Sequence, residues 1–122
     1  MKKIIIDTNA LMAIAEFKLD LFSALQELDF PYKIFVLEGI VEELRKIIME
    51  QRGKYKRAAT LALAIISAKE IAKLPSKGDV DDELVEYSKK GYLVLTQDQE
   101  LKRRLQKPYL TIRQFKKIIV VT

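Results

Sequence analysis

The chain has 122 residues, 49% of them hydrophobic, enough for one domain whose core needs neither disulfides nor a structural metal. It contains no cysteine and no histidine, which excludes thiol nucleophiles, imidazole acid–base catalysis, Ser-His-Asp triads and the usual zinc sites. The net charge is +5, from 22 basic residues against 17 acids, so hydrolytic chemistry here must rest on carboxylates, hydroxyls, lysine or a metal held by oxygen.

The first residues, Met1-Lys2-Lys3-Ile4-Ile5-Ile6, briefly imitate a signal peptide, but Asp7 and Asn9 end the apolar run too early and no small-residue cleavage site follows. The longest apolar stretch, Ala58 to Ala68, is broken by Thr60 and Ser67 and is too short to span a bilayer. Together with the absence of cysteine, this predicts a cytoplasmic protein with no membrane partner.

Lys3 to Asp7 reads as a buried strand with a polar end, and Thr8 to Ala15 as helical. After a break at Lys18-Leu19-Asp20, the spacing of Leu21, Phe22, Leu25 and Leu28 predicts a second helix that Pro31 stops. Lys33 to Leu37 is a second strand, separated by Gly39 from a helix running to about Gln51, and Gly53 marks the next turn. Lys54 to Lys73 is predicted as the longest helix, apolar almost all round, which implies burial or a contact between two copies of the chain. Pro75-Ser76-Lys77-Gly78 is a turn, and Asp79 to Lys90 a helix with acids in its first turn and lysines in its last. Gly91 ends it, Tyr92 to Leu95 is a third strand, and a basic helix follows Thr96-Gln97-Asp98 to about Lys107. Tyr109 to Ile112 and Ile118 to Val121 complete the strands. Alternating strands and helices predict a single domain over 1–122: a three-layer α/β/α sandwich around a central parallel sheet.

In such folds ligands bind beyond the carboxyl ends of the strands. Asp7 ends the first strand and Asp98 lies just past the third, so both belong on that rim. Asp81 and Asp82 begin the helix before the third strand, and Glu42 and Glu43 lie early in the helix after the second. Each acid also has an ordinary structural use. Asp7, Asp79 or Asp81 would serve as helix caps, Thr96 and Gln99 fit a capping box, and Glu42 and Glu43 suit a solvated helix face. The convergence of four segments on one edge favours chemistry. Uncompensated carboxylates so placed repel one another, and a shared divalent cation removes the conflict. An all-oxygen donor set completed by water suits Mg²⁺ or Mn²⁺.

Basic residues are unevenly spread. Seven lie between Lys102 and Lys117 with no acid among them, and Arg52, Lys54, Lys56 and Arg57 form a second group. Either group would serve as a solvated surface or as a rim facing a polyanion.

Ile5-Ile6-Asp7-Thr8-Asn9-Ala10-Leu11 resembles the opening signature of PIN domains. Val41-Glu42-Glu43-Leu44, Val80-Asp81-Asp82-Glu83-Leu84-Val85 and Val94-Leu95-Thr96-Gln97-Asp98-Gln99-Glu100-Leu101-Lys102 resemble that family's later motifs, in order, over essentially the whole chain. The resemblance implies catalytic and metal-binding roles for Asp7, Glu43, Asp81 and Asp98, with Asp82 as a further metal ligand and Thr8, Asn9 and Thr96 supporting the site. It implies a metal-dependent endoribonuclease acting on single-stranded or looped RNA, with Arg57, Lys102, Arg103 and Arg104 holding phosphates. It also implies a homodimer. Of the family's two branches, the Asp81-Asp82 pair and Leu101-Lys102-Arg103-Arg104-Leu105 are closer to nucleases of rRNA processing, with ribosome-assembly partners, than to toxin ribonucleases paired with antitoxins. A catalytically silent RNA-binding scaffold would keep the same motifs. Gln97 stands where asparagine is more usual.

Overall fold

The computed structural model describes residues 1–122. Its organising element is strand β1 (Lys2–Ile6), whose Ile4, Ile5 and Ile6 are wholly buried. Three consecutive isoleucines suit a strand covered on both faces, because alternate residues point to opposite sides and both sides are apolar. Two parallel neighbours flank it. They are β2 (Tyr32–Leu37) and β4 (Leu93–Leu95), with Ile5 opposite Phe35 on one side and Val94 on the other. The sheet has six strands in the order β3-β2-β1-β4-β5-β6, where β3 is Ala72–Leu74, β5 is Tyr109–Arg113 and β6 is Lys117–Val121. The first five are parallel, and β6 returns antiparallel to β5 as a hairpin. The sheet is therefore mixed at one edge instead of parallel throughout.

From β1 the chain steps outward through β2 to β3, then crosses back to β4 and continues to β5. Right-handed crossovers place the connections of these two directions on opposite faces. The outward steps carry α1 (Thr8–Glu16), α2 (Leu21–Gln26), α3 (Glu38–Glu50) and α4 (Lys54–Ala68), of which α1, α3 and α4 pack together. The return steps carry α5 (Val80–Lys89) and α6 (Gln99–Arg104), which pack against each other. The direction reverses between β1 and β4, and in folds of this kind ligands bind beyond the carboxyl ends of the strands at such a point. No helix is long and apolar enough to cross a membrane.

Several boundaries differ from the sequence reading. Helix α4 stops at Ala68, not Lys73. Lys69 caps it, Glu70 takes a left-handed conformation (φ 52°), and Ala72–Leu74 pairs with β2 as a strand. The second helix ends at Gln26, before Leu28, and α6 ends at Arg104, before Lys107. Gly39 lies inside α3 and does not precede it. A Cβ there would come within 2.7 Å of Ser76 Oγ and 2.8 Å of Val80 Cγ2, so the missing side chain lets the start of α3 approach the lead into α5. Helix α4 is not buried all round. Ala58, Ala59, Ala62 and Ile66 face inward, while Tyr55 and Leu61 are exposed.

Candidate active site

Asp7 follows the last residue of β1 and sits at the reversal point of the sheet, only 5% exposed. Its backbone N–H donates to Leu95 O at 2.9 Å, which extends the β1–β4 pairing by one residue and fixes the carboxylate beside the end of β4. Oδ1 accepts from Thr8 N at 2.8 Å, as the cap of α1, and Oδ2 accepts from Thr96 Oγ1 at 2.8 Å. Thr96, fully buried, in turn accepts from Asp98 N at 3.1 Å. Asn9 Oδ1 accepts from Gln97 N at 3.1 Å. Thr96 and Asn9 therefore stitch the end of β4 to the start of α1.

Glu43 reaches the same place from α3. Its Oε1 accepts from Thr8 Oγ1 at 2.8 Å, whereas Glu42 turns to Arg45 in an exposed pair one helical turn along. Asp81 lies in the first turn of α5 and lines a cleft with Glu43, Asp79 and Lys46. Asp98 caps α6, with Oδ1 accepting from Glu100 N and Leu101 N at 2.9 and 3.2 Å. The capping box on Thr96 does not form, because the helix starts two residues later: Thr96 Oγ1 accepts from Asp98 N, and Asp98 caps the helix itself. Asp79, not Asp81, caps α5 by accepting from Asp82 N at 2.9 Å. Asp82 is exposed and pairs with Arg104 at 2.6 Å.

The electrostatics reflect this crowding. Burial raises the Asp7 carboxyl from 3.8 to about 6; the bonds from Thr96 and Thr8 pull it back, and the charges of Asp81 and Glu43 push it up. Burial also raises Glu43, opposed by Thr8 and reinforced by Asp81 and Asp79. Asp81 is raised by its burial, by Asp79 and by Asp98, with Arg104 opposing. The four expected acids thus lie in one electrostatic neighbourhood. No three carboxylates converge tightly enough to enclose an ion by themselves. The donors are nonetheless all hard oxygens, which fits an ion that keeps several of its waters. Asp7, Glu43, Asp81 and Asp98 are the carboxylates that could contribute oxygens to such an ion.

Three residues here were not singled out from sequence as site residues. Lys46 lies one turn after Glu43, and the i,i+3 spacing would have found it. Asp79 adds a further negative charge while acting as a cap. Gln97 clamps β5: its Oε1 accepts from Thr111 Oγ1 and Ile112 N at 2.8 and 2.7 Å, and its Nε2 donates to Ile112 O at 3.1 Å. Its partners lie fourteen and fifteen residues on, where no local pattern points to them. Among the basic residues, Lys102 is half-buried, and Arg103 and Arg104 are exposed on the same helix. Arg57 lies on α4, outside this neighbourhood.

The pattern of the PIN-like domain family matches residues 4–117, and with it all four acids. The chain belongs to this PIN-like family. It is 32% identical over 120 residues to the ribonuclease VapC9 of Archaeoglobus fulgidus, covering 95% of this chain and 87% of that protein. It is 31% identical over 124 residues to the ribonuclease VapC4 of Methanocaldococcus jannaschii, covering 95% and 94%. Among solved structures, the PIN domain endonuclease Utp24 superposes with a TM-score of 0.77 at 30% identity, over 97% of this chain and 90% of that one. This PIN domain therefore shares with known nucleases both its sequence and its mixed, mostly parallel sheet.

Proposed function

We propose that this PIN domain is an endoribonuclease that cuts RNA with a divalent cation held by Asp7, Glu43, Asp81 and Asp98. One observation carries the reading. A nearly buried carboxylate, raised to about 6, is held by two hydrogen bonds within the field of two more acids. A fold gains nothing in stability from such an arrangement, and a bound cation would make it favourable.

Mg²⁺ or Mn²⁺, when bound, would supply a Lewis acid for the phosphate and lower the pKa of a coordinated water. The protein's own contribution is placement. Thr8 and Thr96 fix both oxygens of Asp7, and Thr8 also fixes Glu43, so the two acids cannot swing away. Asp98 presents one oxygen to the amides of α6 and leaves the other for the cleft. Asp82 would join as a ligand only by giving up Arg104. Lys102 and Arg103, together with Arg104, would hold phosphates of a single-stranded or looped RNA along the edge of the site. Arg57 would serve a more distant part of the same strand.

The deciding experiment is cleavage of labelled RNA with Mg²⁺, with Mn²⁺ and with chelator, beside Asp7→Asn. Turnover should need the cation and vanish in the variant. Undiminished cleavage by Asp7→Asn would remove this carboxylate from the reaction, and RNA binding without any metal-dependent turnover would leave a scaffold instead of an enzyme. The Asp81-Asp82 pair and the basic α6 support a role in RNA processing or decay, including that of rRNA. The likeness to two VapC ribonucleases favours a second reading, a ribonuclease held in check by a protein antitoxin. Mapping of the cut ends in total RNA separates them.

A further inference from the structure

The β5–β6 hairpin carries an aromatic feature that the carboxylate chemistry does not use. Gln114 and Phe115 form its tip, both with left-handed backbones at φ 55° and 56°. Neither residue is glycine, and each such conformation costs about 1 kcal/mol or more. Both hold Phe115 outward. Its ring lies 4.1 Å, centre to centre, from that of Phe17 at the end of α1, at an interplanar angle of 37°. The rings are 59% and 46% exposed. Two phenylalanines that meet in water without entering the core form a small preassembled apolar shelf.

The surroundings of the shelf are cationic. Lys18, Arg113, Lys116 and Lys117 adjoin the two rings in sequence, all four are exposed, and none takes part in the molecule's three ion pairs. Glu16 and Asp20 are the acids near them in sequence, and no acid occurs after Glu100. The location is also set. Strand β5 runs parallel to β4, so its end points to the rim that bears Asp98. Gln97, the neighbour of Asp98, is bonded to Ile112, and Phe115 lies three residues on, within about 10 Å along the chain.

We infer that the Phe17–Phe115 shelf is a nucleobase-stacking subsite, which seats an unpaired base of the RNA a short way from the bond to be cut while Arg113, Lys116 and Lys117 hold its phosphates. Exposed aromatic faces within a positive rim are the means by which proteins bind single strands without reading sequence, since every base offers a π-face. The charge selects a polyanion over an apolar partner. A base held there would make the enzyme prefer unpaired over duplex RNA, because a paired base is not free to stack. The inference rests on the ribonuclease reading above, and its test does not depend on cleavage.

The chain contains no tryptophan, so Phe115→Trp places a lone tryptophan on the shelf. Titration of that variant with a single-stranded oligoribonucleotide, in Ca²⁺ to suppress turnover, should quench the tryptophan in step with binding followed by anisotropy. The same oligomer in a duplex should quench far less. Phe115→Ala should weaken single-strand binding about tenfold with little change in duplex binding, and Phe115→Trp should restore it. Binding by anisotropy with no quenching would overturn the inference, as would a Phe115→Ala variant that is folded by circular dichroism and binds like the parent. A blue shift of the tryptophan on raising protein concentration, indifferent to RNA, would overturn it in favour of a contact between copies. Quenching and anisotropy need no turnover, so failure of the nuclease reading and failure of the shelf are read separately.

Discussion

Asp7 must stay charged to hold a cation, yet it is placed where charge is expensive. Burial raises its carboxyl from the ordinary 3.8 to about 6 in the fold. The folded state therefore binds the proton more tightly. The group's contribution to stability is fully present below pH 3.8 and is lost as pH rises through about 6, leaving a cost of about 3 kcal/mol at neutral pH. Asp7→Asn removes that cost, so the variant should melt several degrees above the metal-free parent at pH 7.5, with the gap closing below pH 4. Identical melting curves at both pH values would show that the carboxylate is not under this strain. Mg²⁺ or Mn²⁺ should raise the melting temperature of the parent and leave that of Asp7→Asn almost unmoved, because an ion that binds only the fold stabilises it.

At the scale of elements, the site depends on how α3, α5 and β5 are pinned to the rim. Glu83 of α5 accepts from Ser76 Oγ and from Lys77 N, closing the turn that enters α5 against α3. Gly39→Ala would push a methyl group into Ser76 and Val80, and it should cost about 1–3 kcal/mol in urea unfolding and lower turnover. An unchanged midpoint would mean that the turn yields freely. Gln97→Ala leaves Ile112 N without its side-chain acceptor and should cost about 2 kcal/mol. Gln97→Asn should recover little of it, being one methylene too short for the same reach. The resemblance made Gln97 look like a mild departure; the structure gives its extra length a use. Much of this level was legible beforehand. The isoleucine run of β1, the turn at Pro75–Gly78 and the acids at strand ends and helix starts each follow from local chemistry. Strand β3 was not, since Ala72–Leu74 continues an apolar helical pattern and becomes a strand only through its pairing with β2. Nor was the capping of α6 by Asp98. Thr96 and Asp98 both suit that cap; in the fold Thr96 donates to Asp7, 89 residues away, and accepts from Asp98 N, while Asp98 takes the helix amides.

For the molecule as a whole, charge and shape govern what it meets. If Lys102 and Arg103 each neutralise a phosphate, replacing both with alanine should reduce the slope of log K against log salt for single-stranded RNA by about 1.4. An unaltered slope would remove them from the interface. Exposed Met49, Tyr55 and Leu61 lie on α3 and α4, and we propose that a second copy of the chain packs against these helices. Light scattering should then give twice the chain mass, and Leu61→Glu should halve it. A mass of one chain in the parent at working concentration would exclude the dimer.

The hydrogen bond between Asp7 and Thr96 also bears on biosynthesis. Residue 7 leaves the ribosome early, but the hydroxyl that orients it, the amide that follows it and the acids at positions 81 and 98 are translated only in the last third of the chain. A nascent polypeptide therefore carries this carboxylate with nothing assembled around it. The network around residue 7 can form only late in synthesis, once Thr96 is free to fold against the end of β1.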